Sequence, residues 1–372
     1  MSRVRLATFA TLLLSLTILL PTPAMAAAPT LTASVVQDGL TIPWDVAFAP
    51  DGQMFVTERP GRVRVYASSK PNASLLGTTI IPNVRANGEA GVMGIALDHN
   101  FSFNRFAYVC ASRQVSGAWR NQVIKYHVDS GWRLDFDSFI IRLGMRASPI
   151  HNGCAVQEGP DHKLWITMGD ASHPMDAQNP NRLNGKVLRV NLDGTVPADN
   201  PIWPGASAPT IVYSIGHRNP QGISFEPGTH RAYAAEHGPD RDDEINWIRA
   251  GRNYGWPCVT GKNHDQPAFS CTGTFAMPAW SSEGPTLATS GCVFVNSASW
   301  ESWNKNLFVS TLKQSDLRRF TVNPGTWRMT MRNTLFNNRW GRLRAAAVGP
   351  AGKLYLTTSN GTNDKVVRIT PN

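Results

Sequence analysis

The chain has 372 residues and a formal net charge of +10, from 36 lysine and arginine residues against 26 aspartate and glutamate residues. The basic residues are spread along the whole chain without a Lys/Arg-rich block, which disfavours a nucleic-acid-binding protein and favours a basic exported surface or a pocket for an acidic ligand. No run of about 18 apolar residues follows the N-terminal segment, so the sequence predicts no membrane-spanning helix.

The N-terminal segment has the pattern of a secretory signal peptide. Arg3 and Arg5 precede an apolar run over residues 6–20, and an A-M-A sequence ending at Ala26 is a small-x-small cleavage signal. We therefore expect cleavage after Ala26 and a secreted or periplasmic protein formed by residues 27–372. An uncleaved anchor is the alternative.

Five cysteines fit an exported chain, because export permits disulfides. Cys258 and Cys271 bracket a short loop and are the most plausible pair, and the odd count leaves at least one free thiol. No C-x-x-C or H-x₃-H spacing indicates a zinc site, and His99 and His162 are expected to be structural or exposed histidines.

Short alternating apolar strands separated by Gly, Asp, Asn and Pro turns dominate the rest of the chain. They fall into six similar blocks, at residues 43–66, 91–128, 152–194, 219–248, 290–322 and 344–370. Repeats of three or four short strands predict an all-β protein, a six-bladed β-propeller in a single domain. A pair of β-sandwiches is the alternative. Long inserts are expected to emerge as loops on the two faces, at residues 67–89, 129–148, 170–183, 193–210 and 255–285.

Residues 215–257 carry the densest set of polar groups. Arg218, Asn219 and Gln221 place a guanidinium beside two amides, which suits a planar, oxygen-rich ligand. The Gly238-Pro239 turn precedes four carboxylates within residues 240–244, which suits a hard cation. The sequence thus predicts an anion-binding loop and a cation-binding loop one hairpin apart, although a solvated acidic turn would have the same composition.

Four cations occupy loops at equivalent positions of the blocks: Arg218, Lys313, Arg342 and Arg344. Equivalent loops of a propeller meet around one axis, and cations gathered there repel one another unless an anion lies between them. We therefore expect a small polyanionic ligand. Separate surface ion pairs with nearby carboxylates are the alternative.

Three motifs resemble a known family: G-H-R-N-P-Q-G at residues 216–222, E-H-G-P-x-x-D-D-E-I-N at 236–246 and N-Y-G-W-P at 253–257. The chain is similar over nearly its whole length to the soluble, calcium- and pyrroloquinoline-quinone (PQQ)-dependent aldose sugar dehydrogenases, the glucose/sorbosone dehydrogenase group. The resemblance implies a six-bladed propeller that oxidises aldose sugars at C1 to lactones, with PQQ and Ca²⁺ as cofactors and an unidentified electron acceptor.

The resemblance also implies a role for individual residues. His151 matches the catalytic base, and Glu89 stands where some members have a sugar-contacting side chain. The cofactor-binding residues implied in the same way are Arg218, Asn219, Gln221, Lys313, Arg342 and Arg344. The implied calcium ligands are the carbonyls of Gly238 and Pro239 for the calcium at PQQ, and Glu244 with the carbonyl of Tyr254 for a second, structural calcium.

One departure from the family pattern lies beside the histidine. Ile150 precedes His151 where the best-studied glucose enzymes have an acidic residue, so the sequence supplies no adjacent carboxylate. Two other functions remain open at this point. A calcium-dependent lactonase-type hydrolase would need a metal held in the channel by Glu, Asn and Asp side chains, and a non-catalytic carbohydrate-binding propeller would need no cofactor.

Overall fold

The structure is a computed structural model that describes residues 27–262 and 264–372. Within these residues, six antiparallel four-stranded sheets form the blades. Blades one to three consist of β2–β5 (Pro43–Phe48, Met54–Glu58, Arg62–Tyr66, Leu75–Ile80), β6–β9 (Val92–Leu97, Phe106–Val115, Ala118–Val128, Leu134–Ile141) and β10–β13 (Gly153–Glu158, Leu164–Met168, Lys186–Val190, Val212–Ile215). Blade four consists of β14, β15, β16 and β19 (Pro220–Phe225, Ala232–Glu236, Glu244–Ile248, Trp280–Ser281). Blades five and six consist of β20–β23 (Thr289–Phe294, Leu307–Thr311, Leu317–Val322, Met329–Leu335) and β24, β25, β26 and β1 (Leu343–Val348, Leu354–Thr358, Asp364–Pro371, Leu31–Leu40). The predicted six-bladed propeller is confirmed.

The blades form a closed ring. Each innermost strand contacts the innermost strands of both neighbouring blades, and β24 of blade six returns to β2 of blade one. The N-terminal strand β1 pairs antiparallel with the C-terminal strand β26, so that Leu31 lies opposite Pro371. This pairing joins the two ends of the described chain within one blade and so closes the ring.

The core lies between the blades. Six clusters of buried apolar side chains occur in the described residues, one at each junction between neighbouring blades. Middle strands such as β3, with the sequence M-F-V-T-E, are buried along their whole length because both faces meet a neighbouring blade. Near the axis the strands approach very closely: a Cβ on Gly222 would lie 2.6 Å from the carbonyl oxygen of Ser290, so only glycine fits there.

The predicted inserts are only partly loops. Strand β5 lies within 67–89, β9 lies within 129–148, and β19 lies within 255–285 together with a small hairpin of β17 (Val259–Thr260) and β18 (His264–Asp265). These strands lie at the outer edge of their sheets or over a blade, where half-exposed positions weaken the apolar pattern. The described helices are one short α-helix, α1 (Phe101–Asn104), and 3-10 helices at Pro174–Gln178, Ala298–Trp303 and Pro350–Gly352.

Disulfides connect two pairs of cysteines in the described chain. The predicted pair Cys258–Cys271 is confirmed, and a second bond joins Cys110 of blade two to Cys154 of blade three, while Cys292 is free and buried. None of the helices in residues 27–262 and 264–372 is long and apolar enough to cross a membrane. The predicted signal peptide, residues 1–26, lies outside the described residues.

Candidate functional site

The candidate site lies at the end of the ring where the innermost strands begin and the second strands end. His151 precedes β10, Glu89 precedes β6 and Lys313 follows β21, so the fold brings the predicted residues of different blades to this one end. Below it, a cavity of about 300 Å³ runs along the axis between the six innermost strands, and the side chains of Gln221 and Arg344 line it.

His151 is held by a buried carboxylate. Its Nδ1 atom lies 2.8 Å from Oδ1 of Asp170, and the two side chains are 14% and 1% exposed. An ionised carboxylate only accepts hydrogen bonds, so in the neutral ring Nδ1 carries the proton and Nε2 keeps a free lone pair. The backbone of His151 is left-handed (φ 58°). It packs so closely on Gly169 that a Cβ there would lie 2.0 Å from the His151 carbonyl oxygen.

Asp170 is itself fixed on two sides. The indole Nε1 of Trp256 donates to its Oδ2 at 2.8 Å, and the backbone N–H of Ser172 donates to its Oδ1 at 2.8 Å. The sequence offered no carboxylate next to His151, since Ile150 precedes it and points outward with 47% exposure. The structure corrects this expectation, because the carboxylate comes from the end of the neighbouring strand β11.

Glu89 connects three parts of the site. Its Oε2 accepts a hydrogen bond from the backbone N–H of His151 at 2.7 Å and one from Nδ2 of Asn219 at 3.2 Å. Its Oε1 accepts from Nε2 of Gln221 at 3.2 Å. The loop that carries the histidine is therefore tied to blade four through one half-buried carboxylate.

Arg344 is the most deeply buried cation of the site, at 5% exposure. It donates to Oε1 of Gln221 at 3.0 Å and to Oγ of Ser359 at 3.2 Å, and its guanidinium lies 3.7 Å from the ring centroid of Trp44. Burial lowers its pKa to about 9, opposed by the nearby carboxylate of Glu89. A cation buried this deeply is costly unless anionic groups face it.

Two further arginines have unused donors. Arg218 donates from NH1 to the carbonyl of His237 at 3.0 Å and stacks over Trp256 at 5.3 Å. The buried Nε atoms of Arg218 and Arg59 have no hydrogen-bond partner among the described residues. Burial lowers the pKa of both guanidinium groups, and the nearby charge of Glu89 offsets only part of this shift. Arg59, which follows β3, is a cation of this site that the sequence analysis missed.

Lys313 and Arg342 lie at the same end but are exposed. The backbone N–H of Lys313 bonds to the carbonyl of Leu287, and that of Arg342 bonds to Oδ1 of Asn360, so the loops are fixed while the charged side chains face solvent. Of the four cations named from the sequence, Arg344 is thus buried, Arg218 is half-buried, and Lys313 and Arg342 are exposed.

The residues named as calcium ligands meet at a second, much smaller cavity. This cavity has a volume of about 10 Å³, and its lining includes Gly238, Pro239, Glu244 and Tyr254 together with the carboxylate of Asp242. A cavity of this size holds roughly one water molecule or one ion. The structure brings the four residues around one cavity, whereas the sequence had divided them between two calcium ions.

The charge around the small cavity favours a cation. Oδ1 of Asp242 is buried and has no partner among the described residues, whereas its Oδ2 accepts from Thr260 and His264 and lies 3.3 Å from Nε of Arg241. Arg218 also lines the cavity, so one cation already stands beside the carboxylates. Burial, and next the charge of Glu236, raise the pKa of Glu244 well above its ordinary range. Carboxylates and main-chain carbonyls are the ligands that Ca²⁺ prefers, so the donor set fits that ion.

A side-chain contact already uses the outer turn. Nδ1 of His237 donates to the carbonyl oxygen of Gly238 at 2.6 Å. Burial lowers the pKa of His237, which favours the neutral ring. A carbonyl oxygen has two lone pairs, so a metal bound to that carbonyl would share the oxygen with the imidazole N–H.

The sequence matches the family model described as Glucose / Sorbosone dehydrogenase over residues 40–368. The chain belongs to this family. In the glucose/sorbosone dehydrogenase family, it is 30% identical over 359 residues to the aldose sugar dehydrogenase YliI of Escherichia coli, covering 93% of this chain and 94% of the relative.

Solved structures of sugar dehydrogenases share the fold. The crystal structure of the soluble aldose sugar dehydrogenase of E. coli in the apo-form superposes with a TM-score of 0.82 at 28% identity, covering 92% of this chain and 100% of that chain. The PQQ-bound form of aldose sugar dehydrogenase from Streptomyces coelicolor superposes with a TM-score of 0.76 at 27% identity, covering 93% and 100%.

Proposed function

We propose that this glucose/sorbosone dehydrogenase family member is an exported, PQQ- and calcium-dependent aldose dehydrogenase that oxidises the sugar at C1 to the lactone. The observation that carries the proposal is the pairing of His151 with buried Asp170 beside unpaired arginine donors at the mouth of the channel. A bound-PQQ form of the Streptomyces relative and the aldose sugar dehydrogenase of E. coli support the assignment.

In this proposal His151 is the general base. Asp170 holds the Nδ1–H, so the unprotonated Nε2 is available to take the proton of the sugar C1 hydroxyl. Asp170 also stabilises the imidazolium that forms when the proton arrives. Glu89 fixes the histidine backbone, and its half-exposed carboxylate borders the space in which a sugar would bind.

The cations would hold PQQ, a tricarboxylic o-quinone that accepts the hydride from C1 when it is bound. Arg344 supplies a buried guanidinium group, and the half-buried Arg218 and Arg59 supply buried Nε donors that have no partner among the described residues. We assign the exposed Lys313 and Arg342 to carboxylates at the rim, and the amides of Asn219 and Gln221 to the quinone oxygens.

Calcium would occupy the carboxylate-lined cavity and the adjoining turn. Glu244, the carbonyl of Tyr254 and the unpaired oxygen of Asp242 fit a structural ion. We assign the outer carbonyls of Gly238 and Pro239 to a calcium that contacts PQQ. In that assignment the Gly238 carbonyl would bind the ion with one lone pair and accept from the Nδ1–H of His237 with the other.

The described residues disfavour a lactonase-type hydrolase. Its metal would lie in the channel, and the buried cation Arg344 lines that channel. Reconstitution with PQQ and Ca²⁺ distinguishes the dehydrogenase from a non-catalytic carbohydrate-binding propeller, because the propeller would show no turnover.

The test is to express the protein without PQQ, remove metal, and measure dye reduction with a panel of aldoses. We expect activity only when PQQ and Ca²⁺ are added together, with the aldonolactone as the first product. Lack of turnover with every aldose despite bound PQQ would contradict the substrate class, and lack of PQQ binding would contradict the proposed function altogether.

A further inference from the structure

A cluster of two histidines and one glutamate lies on the face opposite the candidate site. The Nδ1 atoms of His99 and His162 lie 2.5 and 3.2 Å from the same oxygen, Oε1 of Glu158. The two imidazole rings lie 4.1 Å apart between centroids. The three ligand atoms are all within 4.8 Å of one another, close enough to bind a single metal ion.

The propeller builds this cluster from two neighbouring blades. Strands β6 and β10 run side by side from the candidate site to the opposite face, where His99 follows the first and Glu158 ends the second. The backbone N–H of His99 donates to Oε2 of Glu158 at 2.9 Å, which fixes the carboxylate between the blades. His162 lies in the tight β10–β11 hairpin with φ 55°.

The surroundings leave the cluster partly open. Glu158 is 8% exposed, whereas the rings of His99 and His162 are 36% and 62% exposed. The side-chain amide of Asn100 lies 2.8 Å from Nε2 of His99. With metal on Nδ1, the Nε2–H would donate to the amide oxygen after a flip of that amide, which is how a neighbouring side chain orients a ligand histidine.

We propose that His99, Glu158 and His162 form a binding site for a divalent transition-metal ion of the zinc, nickel and copper class. Two imidazole nitrogens and one carboxylate oxygen are ligands of that class rather than of calcium, which prefers oxygen alone. The exposed side of the cluster leaves room for water to complete the coordination. The ion cross-links blades two and three.

This site is separate from the proposed sugar and PQQ site. The six residues of β10 lie between them, a distance of roughly 20 Å at about 3.3 Å per strand residue. Transition-metal binding is therefore measured without PQQ, sugar or turnover, and its presence or absence leaves the proposed dehydrogenase function untouched.

The test is a calorimetric titration of the full-length mature protein with ZnCl₂ in saturating CaCl₂, which fills the calcium sites. We expect one zinc per chain in the wild type and a loss of affinity of about tenfold or more in His162→Gln and His99→Gln. His127→Gln is the matched control, because His127 is an exposed histidine on strand β8 of the same blade as His99 and should leave the titration unchanged.

Two results would overturn the proposal. One is a wild type that binds no zinc at millimolar ZnCl₂. The other is stoichiometric zinc binding that both His99→Gln and His162→Gln retain at wild-type affinity. A zinc-edge anomalous peak between Nδ1 of His99, Nδ1 of His162 and Oε1 of Glu158 would support the site, whereas a peak only elsewhere would contradict it.

Discussion

Nδ1 of His151 lies 2.8 Å from Oδ1 of Asp170, although the two residues are 19 positions apart and belong to different loops of blade three. The carboxylate is 1% exposed and also accepts hydrogen bonds from Trp256 and Ser172, so it holds the histidine in one tautomer and one orientation. This pairing turns a surface-loop histidine into a candidate base with a fixed direction.

Asp170→Asn tests the pairing. An asparagine keeps the volume but does not stabilise the imidazolium, so we expect kcat to fall by about 10²- to 10⁴-fold while PQQ affinity stays unchanged. Asp51→Asn, a change of an exposed aspartate in the β2–β3 hairpin on the opposite face, is the matched control. Equal loss of PQQ affinity and kcat in Asp170→Asn would mean that Asp170 only maintains the loop.

Lys313→Ala and Arg344→Ala test whether the cations bind the cofactor. Removing one charge-assisted hydrogen bond costs about 1.5–3 kcal/mol, so we expect PQQ affinity to fall by about 10- to 100-fold with a smaller effect on sugar KM. Lys70→Ala, at an exposed lysine of the β4–β5 hairpin on the opposite face, should change neither. If sugar KM rises while the PQQ titration is unchanged, these cations face substrate.

Calcium removal should affect stability and cofactor binding separately. Mild chelation is expected to abolish PQQ binding first, because Pro239 of the turn is half-buried whereas Asp242 and Glu244 are buried. Glu244→Ala should lower the melting temperature measured in saturating Ca²⁺, since an ion that binds only the folded state stabilises it. Asp240→Ala alters an exposed carboxylate of the same loop and should have little effect. An unchanged melting temperature in Glu244→Ala would argue against the structural ion.

Asp45 should make the protein less stable as the pH rises. Burial raises its pKa from 3.8 to about 7, despite hydrogen bonds from the backbone N–H groups of Ile95 and Val46. The folded state therefore holds this proton more tightly than the unfolded state, and that stabilisation is lost as the pH rises from about 4 through 7. The shift corresponds to at most about 2.6 kcal/mol between pH 5 and pH 8, reduced by the partial exposure of Asp45 to the channel.

Urea unfolding of wild type and Asp45→Asn at pH 5 and pH 8 measures this effect. We expect wild type to lose more stability than the variant over that interval. Parallel pH dependence of the two proteins would show that Asp45 ionises in the folded state as readily as in the unfolded chain.

The blade number was predictable from sequence because each blade repeats the same short-range signals. The buried strand β3 and its turn, for example, recur in recognisable form in later blades. Strand β5 was not predictable, because its sequence L-L-G-T-T-I is largely exposed and lacks a clean apolar alternation. The pairing of β1 with β26 was also missed, since it joins the two ends of the described chain and leaves no local pattern.

The site was predictable only where its residues fall in dense motifs. Arg218 and Gly238 stand in such motifs, and both lie at the end of the ring where the innermost strands begin. Asp170 and Arg59 were missed because each follows a second strand singly, and their significance comes from partners brought by folding. The same holds for Cys110 and Cys154, which are 44 residues apart and meet at a blade junction.

His151→Asn tests the central claim most directly, by comparing kcat with that of wild type at saturating PQQ, Ca²⁺ and aldose. The loop is fixed through the backbone N–H of His151 and Glu89, so the variant should fold and bind PQQ normally. We predict a fall in kcat of about 10²- to 10⁴-fold, the usual contribution of a positioned general base. A variant that binds PQQ and retains wild-type kcat would contradict the account and remove His151 from the mechanism.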